Sequence, residues 1–211
     1  MIELLNCDCM EYMATVPDKY FDLAIVDPPY GIDCEHMGGR GGKSTWKGHE
    51  RKEWDKKTPP LEYFIELFRV SKNQIIWGAN YFPQMLPPSM GWIFWDKMKH
   101  SFSTSDGELA YSSFKNKLRV FQRYVNLDKG FLNKHGDIHP TQKPVALYNW
   151  LLTNYAKKGQ RILDTHLGSG SSAIAAHYFG VDFVGCELDK DYFEAAKARF
   201  DMATKQLAMS I

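Results

Sequence analysis

The chain has 211 residues, 44% of them hydrophobic and 14% aromatic, and a formal net charge of +1. That length suits one domain, spanning 1–211, that buries roughly 70% of the surface of its unfolded chain, so neither disulfides nor metals are needed to hold it together. So even a charge balance excludes a global attraction for nucleic acid and leaves only local basic patches.

No apolar run reaches membrane-spanning length, and the N-terminus lacks a signal-peptide pattern. Cys7, Cys9, Cys34 and Cys186 show neither a C-x-x-C pair nor His partners at zinc-site spacing. They read as reduced thiols of a cytoplasmic protein with no metal site and no membrane partner.

Ile2 to Leu5 predicts a short strand ending at Asn6-Cys7-Asp8, with a helix over 9–17 closed by Pro17-Asp18. Asp8 is placed either to cap that helix or to accept from a ligand at the strand's carboxyl end. Leu23-Ala24-Ile25-Val26 is an unbroken apolar run, the pattern of a strand buried on both faces of a parallel sheet. Pro28 and Pro29 then remove two backbone donors and fix φ twice, so the strand stops in a stiff extended turn. Asp27 therefore sits where open α/β sheets place their ligands. A carboxylate at Asp27, the Pro28 carbonyl and the flat ring of Tyr30 suit a planar ring bearing an exocyclic amino group. An ordinary strand-ending turn with a surface acid would look the same.

Residues 31–57 are rich in glycine and in Lys and Arg, and predict a mobile basic loop in which Trp46 and Trp54 could stack on bases. Gly41-Gly42-Lys43-Ser44 is not a phosphate loop, because the pattern needs glycine where Met37 stands. Thr58-Pro59 predicts a helix start, with Leu61, Phe64, Ile65 and Phe68 as its buried face. Strands follow at Gln74 to Trp77, Trp92 to Trp95 and Glu108 to Phe114, the last with an alternation that suits an antiparallel partner. Residues 115–138 form a second basic stretch, either the charged face of ordinary structure or a candidate DNA-recognition insertion. His139-Pro140-Thr141-Gln142-Lys143-Pro144 leads into a helix striped by Tyr148, Leu151, Leu152 and Tyr155.

Arg161 to Leu163 predicts a strand, followed by Asp164-Thr165-His166-Leu167-Gly168-Ser169-Gly170-Ser171 and a small-residue helix. Gly168 and Gly170 allow a tight turn and a close backbone approach to a ligand. Asp182 to Cys186 is the last strand, ending in Glu187 at the distance expected of an acid that binds ribose hydroxyls. Asp191-x-x-Glu194 opens the final helix. The glycine pattern alone suits either a dinucleotide or another adenosine-containing cofactor. Only about one β-α unit follows it, too little for the second half of an NAD fold.

Three signatures stand in one order: Asp27-Pro28-Pro29-Tyr30, then His139 to Pro144, then the turn at Asp164 to Ser171. Together they resemble the beta-class DNA adenine-N6 methyltransferases, in which the catalytic motif precedes the cofactor motif. The resemblance implies an α/β fold: a doubly wound, mostly parallel, seven-stranded Rossmann-like methyltransferase sheet, circularly permuted, with one antiparallel strand. It implies S-adenosylmethionine as cofactor and double-stranded DNA as partner, a homodimer as in many members, and a setting in restriction-modification or in a phage. Asp27, Pro28, Pro29 and Tyr30 would be catalytic. Asp8, Thr141, Gln142, Lys143, Asp164, His166, Gly168, Ser169, Gly170, Ser171, Glu187 and Leu188 would hold the cofactor, with Lys143 facing its carboxylate. Arg40, Lys43, Lys47, Lys117, Arg119 and Arg123 would meet DNA. The family usually has Phe at the position of His166. A silent DNA-binding or decoy protein, and a methyltransferase acting on RNA or a protein amide, are the alternatives.

Overall fold

The computed structural model describes residues 1–32, 55–98, 105–115, 117–123 and 142–205. Arg40, Lys43, Lys47, Trp46, Trp54, Cys34, His139 and Thr141, and most of both basic stretches, for which the sequence suggests roles, lie outside those residues.

The strands are β1 (Ile2–Asn6), β2 (Phe21–Val26), β3 (Ser71–Trp77), β4 (Ile93–Asp96), β5 (Gly107–Ser112), β6 (Arg119–Gln122), β7 (Arg161–Asp164) and β8 (Asp182–Glu187). They form one sheet in the order β1-β8-β7-β2-β3-β5-β4-β6. Every neighbouring pair is parallel except the two that involve β5. Among the described residues the sheet therefore has eight strands, not seven, with β5 as the single reversed one. The extra strand is β6, inside the segment expected to be a separate insertion. Val120 and Phe121 interleave with charges there because β6 is a sheet edge, where Val120 stays 48% exposed.

Alternation along β2 explains the two-sided core. Leu23 and Ile25 pack with Ile75, Trp77, Ile93 and Trp95 against α3 (Val145–Tyr155), α4 (Ser171–Phe179) and α5 (Lys190–Lys205). Ala24 and Val26 pack with Ile76, Tyr111 and Leu163 against α1 (Cys9–Ala14) and α2 (Leu61–Val70). Helices thus cover both faces, which is why the stretch Leu23 to Val26 of β2 carries no polar side.

The buried stripe of α2 is Tyr63, Phe64, Leu67 and Val70, while Leu61 and Ile65, expected inside, are exposed. Each of those buried side chains contributes about 1.5–3 kcal/mol, and the Tyr63 hydroxyl bonds Thr165 Oγ1 at 2.7 Å. Pro60, not Thr58, occupies the N-cap of α2. The last helix is capped by Asp189, which accepts from the backbone N–H of Asp191 and Tyr192, rather than opened by Asp191. Cys7, Cys9 and Cys186 are free thiols. No helix among the described residues is long and apolar enough to cross a membrane.

Candidate active site

The carboxyl ends of the parallel strands border a cavity of about 1160 Å³. Asp27, Gly78 and Lys97 reach it just past β2, β3 and β4; Thr165 and His166, Leu188, and Asp8 reach it past β7, β8 and β1. Because β5 runs the other way, it brings its first residues to this edge, so Glu108 joins the lining opposite Asp27.

The turn after β2 is clamped from outside. Asp55 Oδ1 accepts from the backbone N–H of Tyr30 at 2.7 Å and of Gly31 at 3.0 Å, fixing where the Tyr30 ring stands. That ring stacks on Tyr81, with centroids 5.1 Å apart at 14°. Gly78, at φ 68, lets the ring come closer than any side chain would, since a Cβ there would lie 2.0 Å from Tyr30 Cε1.

Asp27 is held at both oxygens. The Tyr30 hydroxyl donates to Oδ1 at 2.6 Å, and Lys143 Nζ donates to Oδ2 at 2.5 Å. Lys143 Nζ also meets Glu108 Oε2 at 2.9 Å, and Lys97 Nζ meets Glu108 Oε1 at 2.7 Å. Two carboxylates and two ammonium groups so alternate, and Lys143 and Lys97 sit 5.5 and 5.3 Å from the centroids of the Trp77 and Trp95 rings. Burial alone would raise the Glu108 carboxyl, yet Lys143 and Lys97 outweigh it and hold Glu108 at about 2. Asp27 is pushed up, first by burial and then by the Glu108 charge, against the pull of Lys143 and of the Tyr30 hydroxyl. Lys143 stays an ammonium, because Asp27 and Glu108 overcome its burial.

The other end of the cavity is the glycine turn between β7 and α4. Gly168 (φ 51) and Gly170 (φ 73) take the left-handed conformation this turn requires. Glu187 accepts from the Gly168 N–H at 2.9 Å and the Asp189 N–H at 3.0 Å, one on each oxygen, which leaves lone pairs for further donors. Asp8 caps α1 through the Met10 N–H at 2.7 Å and also lines the cavity. Leu188, 71% exposed, offers an apolar flank there. Three carboxylates (Asp8, Glu187, Asp189) line this end against one ammonium (Lys190). That balance suits a ligand with hydroxyls and positive charge better than a pyrophosphate.

Asp27, Pro28, Pro29, Tyr30, Asp8, Gln142, Lys143, His166, Gly168, Ser169, Glu187 and Leu188 thus share one cavity. Asp164, Gly170 and Ser171 do not line it and act behind it. Asp164 accepts from the His166 N–H at 3.1 Å and the Ser172 hydroxyl at 2.6 Å, and Arg199 Nη1 ties the Ser169 carbonyl at 2.7 Å to Ser171 Oγ at 2.9 Å. The Lys143 ammonium is engaged by Asp27 and Glu108. His166 packs edge-on to Tyr63 and is held down to about 4 by burial, against the Asp8 charge, so it is a neutral ring at pH 7. Lys117 and Arg119 stand at the amino end of β6, away from the cavity edge; Arg123 follows its carboxyl end, beside Asp96. Sequence reasoning missed Glu108, Lys97, Asp55 and Tyr81. The one available signal was a glutamate inside the otherwise apolar β5.

A family model described as DNA methylase (N6_N4_Mtase) matches residues 89–198. The type II methyltransferase M.HpaI of Haemophilus parainfluenzae is 25% identical over 240 residues, covering 94% of this chain and 74% of that protein. Among solved structures, the M1.HpyAVI–SAM complex matches with a TM-score of 0.60 at 20% identity, covering 94% of this chain and all of the other (100%). The cytosine-N4-specific PvuII DNA methyltransferase matches with a TM-score of 0.65 at 10% identity, covering 97% and 90%.

Proposed function

The chain belongs to the N6_N4 DNA methylase family and is an S-adenosylmethionine-dependent DNA methyltransferase; from that premise we propose that it methylates adenine N6 in double-stranded DNA, on a base flipped out of the helix. One observation carries this reading: Asp27 and the glycine turn with Glu187 face one cavity. A methyl acceptor held by the first therefore lies within reach of a methyl donor held by the second.

The donor set fits the cofactor. Glu187 would take the ribose hydroxyls, Leu188 would flank the adenine and Asp8 would accept from its amino group, with the Gly168-Ser169 backbone beneath. Bound there, S-adenosylmethionine supplies an electrophilic methyl group whose sulfonium keeps the bonding pair when the methyl leaves.

The protein's own part is to make the amino nitrogen of adenine a nucleophile. Its lone pair is delocalised into the ring. Asp27 and the Pro28 carbonyl accept the two amino hydrogens and draw the nitrogen toward tetrahedral geometry, which releases the lone pair for in-line attack. As the nitrogen turns cationic, the Asp27 charge stabilises it more than it did the ground state. Each Asp27 oxygen already takes one donor and keeps a lone pair for this task. Extrusion exposes the base to Tyr30, whose stack on Tyr81 makes it a rigid platform. Cytoplasmic location, dimerisation and the DNA contacts assigned to Arg40, Lys43, Lys47, Lys117, Arg119 and Arg123 belong to the same reading.

The test is transfer of labelled methyl from S-adenosylmethionine to unmethylated duplex DNA, followed by nucleoside analysis, with Asp27→Ala alongside. Label in N6-methyladenine that falls by at least about 10³-fold in the variant is expected. Label in N4-methylcytosine, in RNA or in protein would reassign the substrate, and an active variant would remove Asp27 from the mechanism.

A further inference from the structure

We propose that Glu108 is a positioning residue of methyl transfer: when the amino group of the base arrives, Glu108 draws the donors it shares with Asp27 toward itself, so that Asp27 meets the base with less of its charge neutralised. The proposal rests on the adenine reading above and adds to it a residue outside every motif.

Its basis is that the same two carboxylates share the same two donors. Lys143 Nζ lies 2.5 Å from Asp27 Oδ2 and 2.9 Å from Glu108 Oε2. The Tyr30 hydroxyl lies 2.6 Å from Asp27 Oδ1 and 3.3 Å from Glu108 Oε2. Both donors lie closer to Asp27 than to Glu108. An ammonium in that position works against the reaction, since the nitrogen becoming cationic would face an ion pair with little net charge. Buried at 3% exposure, Lys143 cannot retreat to water. Glu108 gives it a second buried acceptor within a few tenths of an ångström of its present place.

Glu108 is built to stay still while this happens. Its Oε1 is tied to Lys97, and its backbone pairs with Trp95 across β4 and β5. Lys143 moves over a prepared floor, the faces of Trp77 and Tyr30 lying 5.5 and 5.6 Å from Nζ. The other groups that act on this cluster are Tyr148 and Asp164, and Tyr63 feels the Asp27 charge. None of the three shares a donor with Asp27 in the described structure.

The experiment is the single-turnover rate of a preformed enzyme–S-adenosylmethionine–DNA complex from pH 5 to 9, with cofactor affinity and base flipping read separately, the latter by 2-aminopurine fluorescence. Glu108→Gln should lower the plateau rate by about 10²-fold, with cofactor affinity and flipping little changed. Its acid limb should move to lower pH, because removing the Glu108 charge leaves Asp27 to Lys143. The double variant E108Q/K143M should recover a large part of the plateau at pH 9 and move the limb upward, because the cation that quenches Asp27 is gone. A residue of purely structural importance would move neither limb nor be rescued. A plateau for Glu108→Gln within about threefold of wild type, or a double variant no faster than E108Q, overturns the proposal. If E108Q does not fold, Glu108→Asp, which withdraws the charge by one methylene, must show the same fall and the same rescue by K143M, or the proposal fails. Wild type and Asp27→Ala in the same assay separate the two levels. An active wild type with a dead Asp27→Ala and a normal E108Q sinks only the role of Glu108; a wild type that never labels adenine sinks the adenine reading and this proposal with it.

Discussion

Gly78→Ala tests whether the Tyr30 platform is set by the absence of one carbon. Gly78 follows β3 at φ 68, just before the 3₁₀ turn Ala79–Tyr81. A Cβ added there would stand 2.0, 2.3 and 2.6 Å from Tyr30 Cε1, Cδ1 and Cζ. Carbon atoms pack no closer than about 3.5 Å, so the ring must withdraw by about 1.5 Å or the turn must deform. The ring has little freedom to withdraw, because its hydroxyl is bonded to Asp27, its backbone N–H to Asp55 and its face to Tyr81. Left-handed backbone costs an alanine about 1 kcal/mol, and overpacking adds about 1–3 kcal/mol. A loss of about 2–4 kcal/mol in urea denaturation is therefore expected, with a collapse of the 2-aminopurine flipping signal. Cofactor affinity should hold, since the glycine turn is carried by β7 and β8 on the other side of β2. A variant within 1 kcal/mol of wild type that still flips the base normally would refute the reasoning.

Asp164 makes a pH prediction. Burial pushes its carboxyl up to about 7, against the Ser172 hydroxyl and the His166 N–H, which favour the charged form. The folded state so holds this proton more tightly than the unfolded chain does. The stability it contributes is complete below about pH 4 and is lost as pH rises through 7. Asp164→Asn, which cannot ionise, should gain on wild type by about 3–4 kcal/mol between pH 4 and pH 8, at about 1.36 kcal/mol per pKa unit. A difference between the two urea melts that does not change with pH would contradict this. Arg199→Met removes the donor that ties the Ser169 carbonyl to Ser171 Oγ under the glycine turn. It should cost about 2–4 kcal/mol and weaken S-adenosylmethionine binding by calorimetry; unchanged affinity would show that the turn does not need this brace.

What was legible in the sequence was local. The strand over Leu23 to Val26 shows itself as an unbroken apolar run because helices cover both of its faces. The two prolines end it whatever surrounds them, and Gly168 and Gly170 mark a left-handed turn because other residues resist that backbone. Asp27, Glu187 and Asp8 could be placed at a ligand edge from chain position alone, since each follows a strand of the same direction. The tertiary structure decided what depends on pairing between distant segments. Only the reversal of β5 carries Glu108 to the same edge as Asp27, and only that meeting sets the Lys143 ammonium between two carboxylates. Leu61 and Ile65 have the spacing of a buried stripe, yet the face of α2 that meets the sheet is the one bearing Tyr63, Phe64, Leu67 and Val70, with Thr165 there to bond the Tyr63 hydroxyl. Periodicity says that a helix has an apolar side. Which carboxylate, ring or ammonium a distant strand brings against that side depends on contacts that no local pattern encodes.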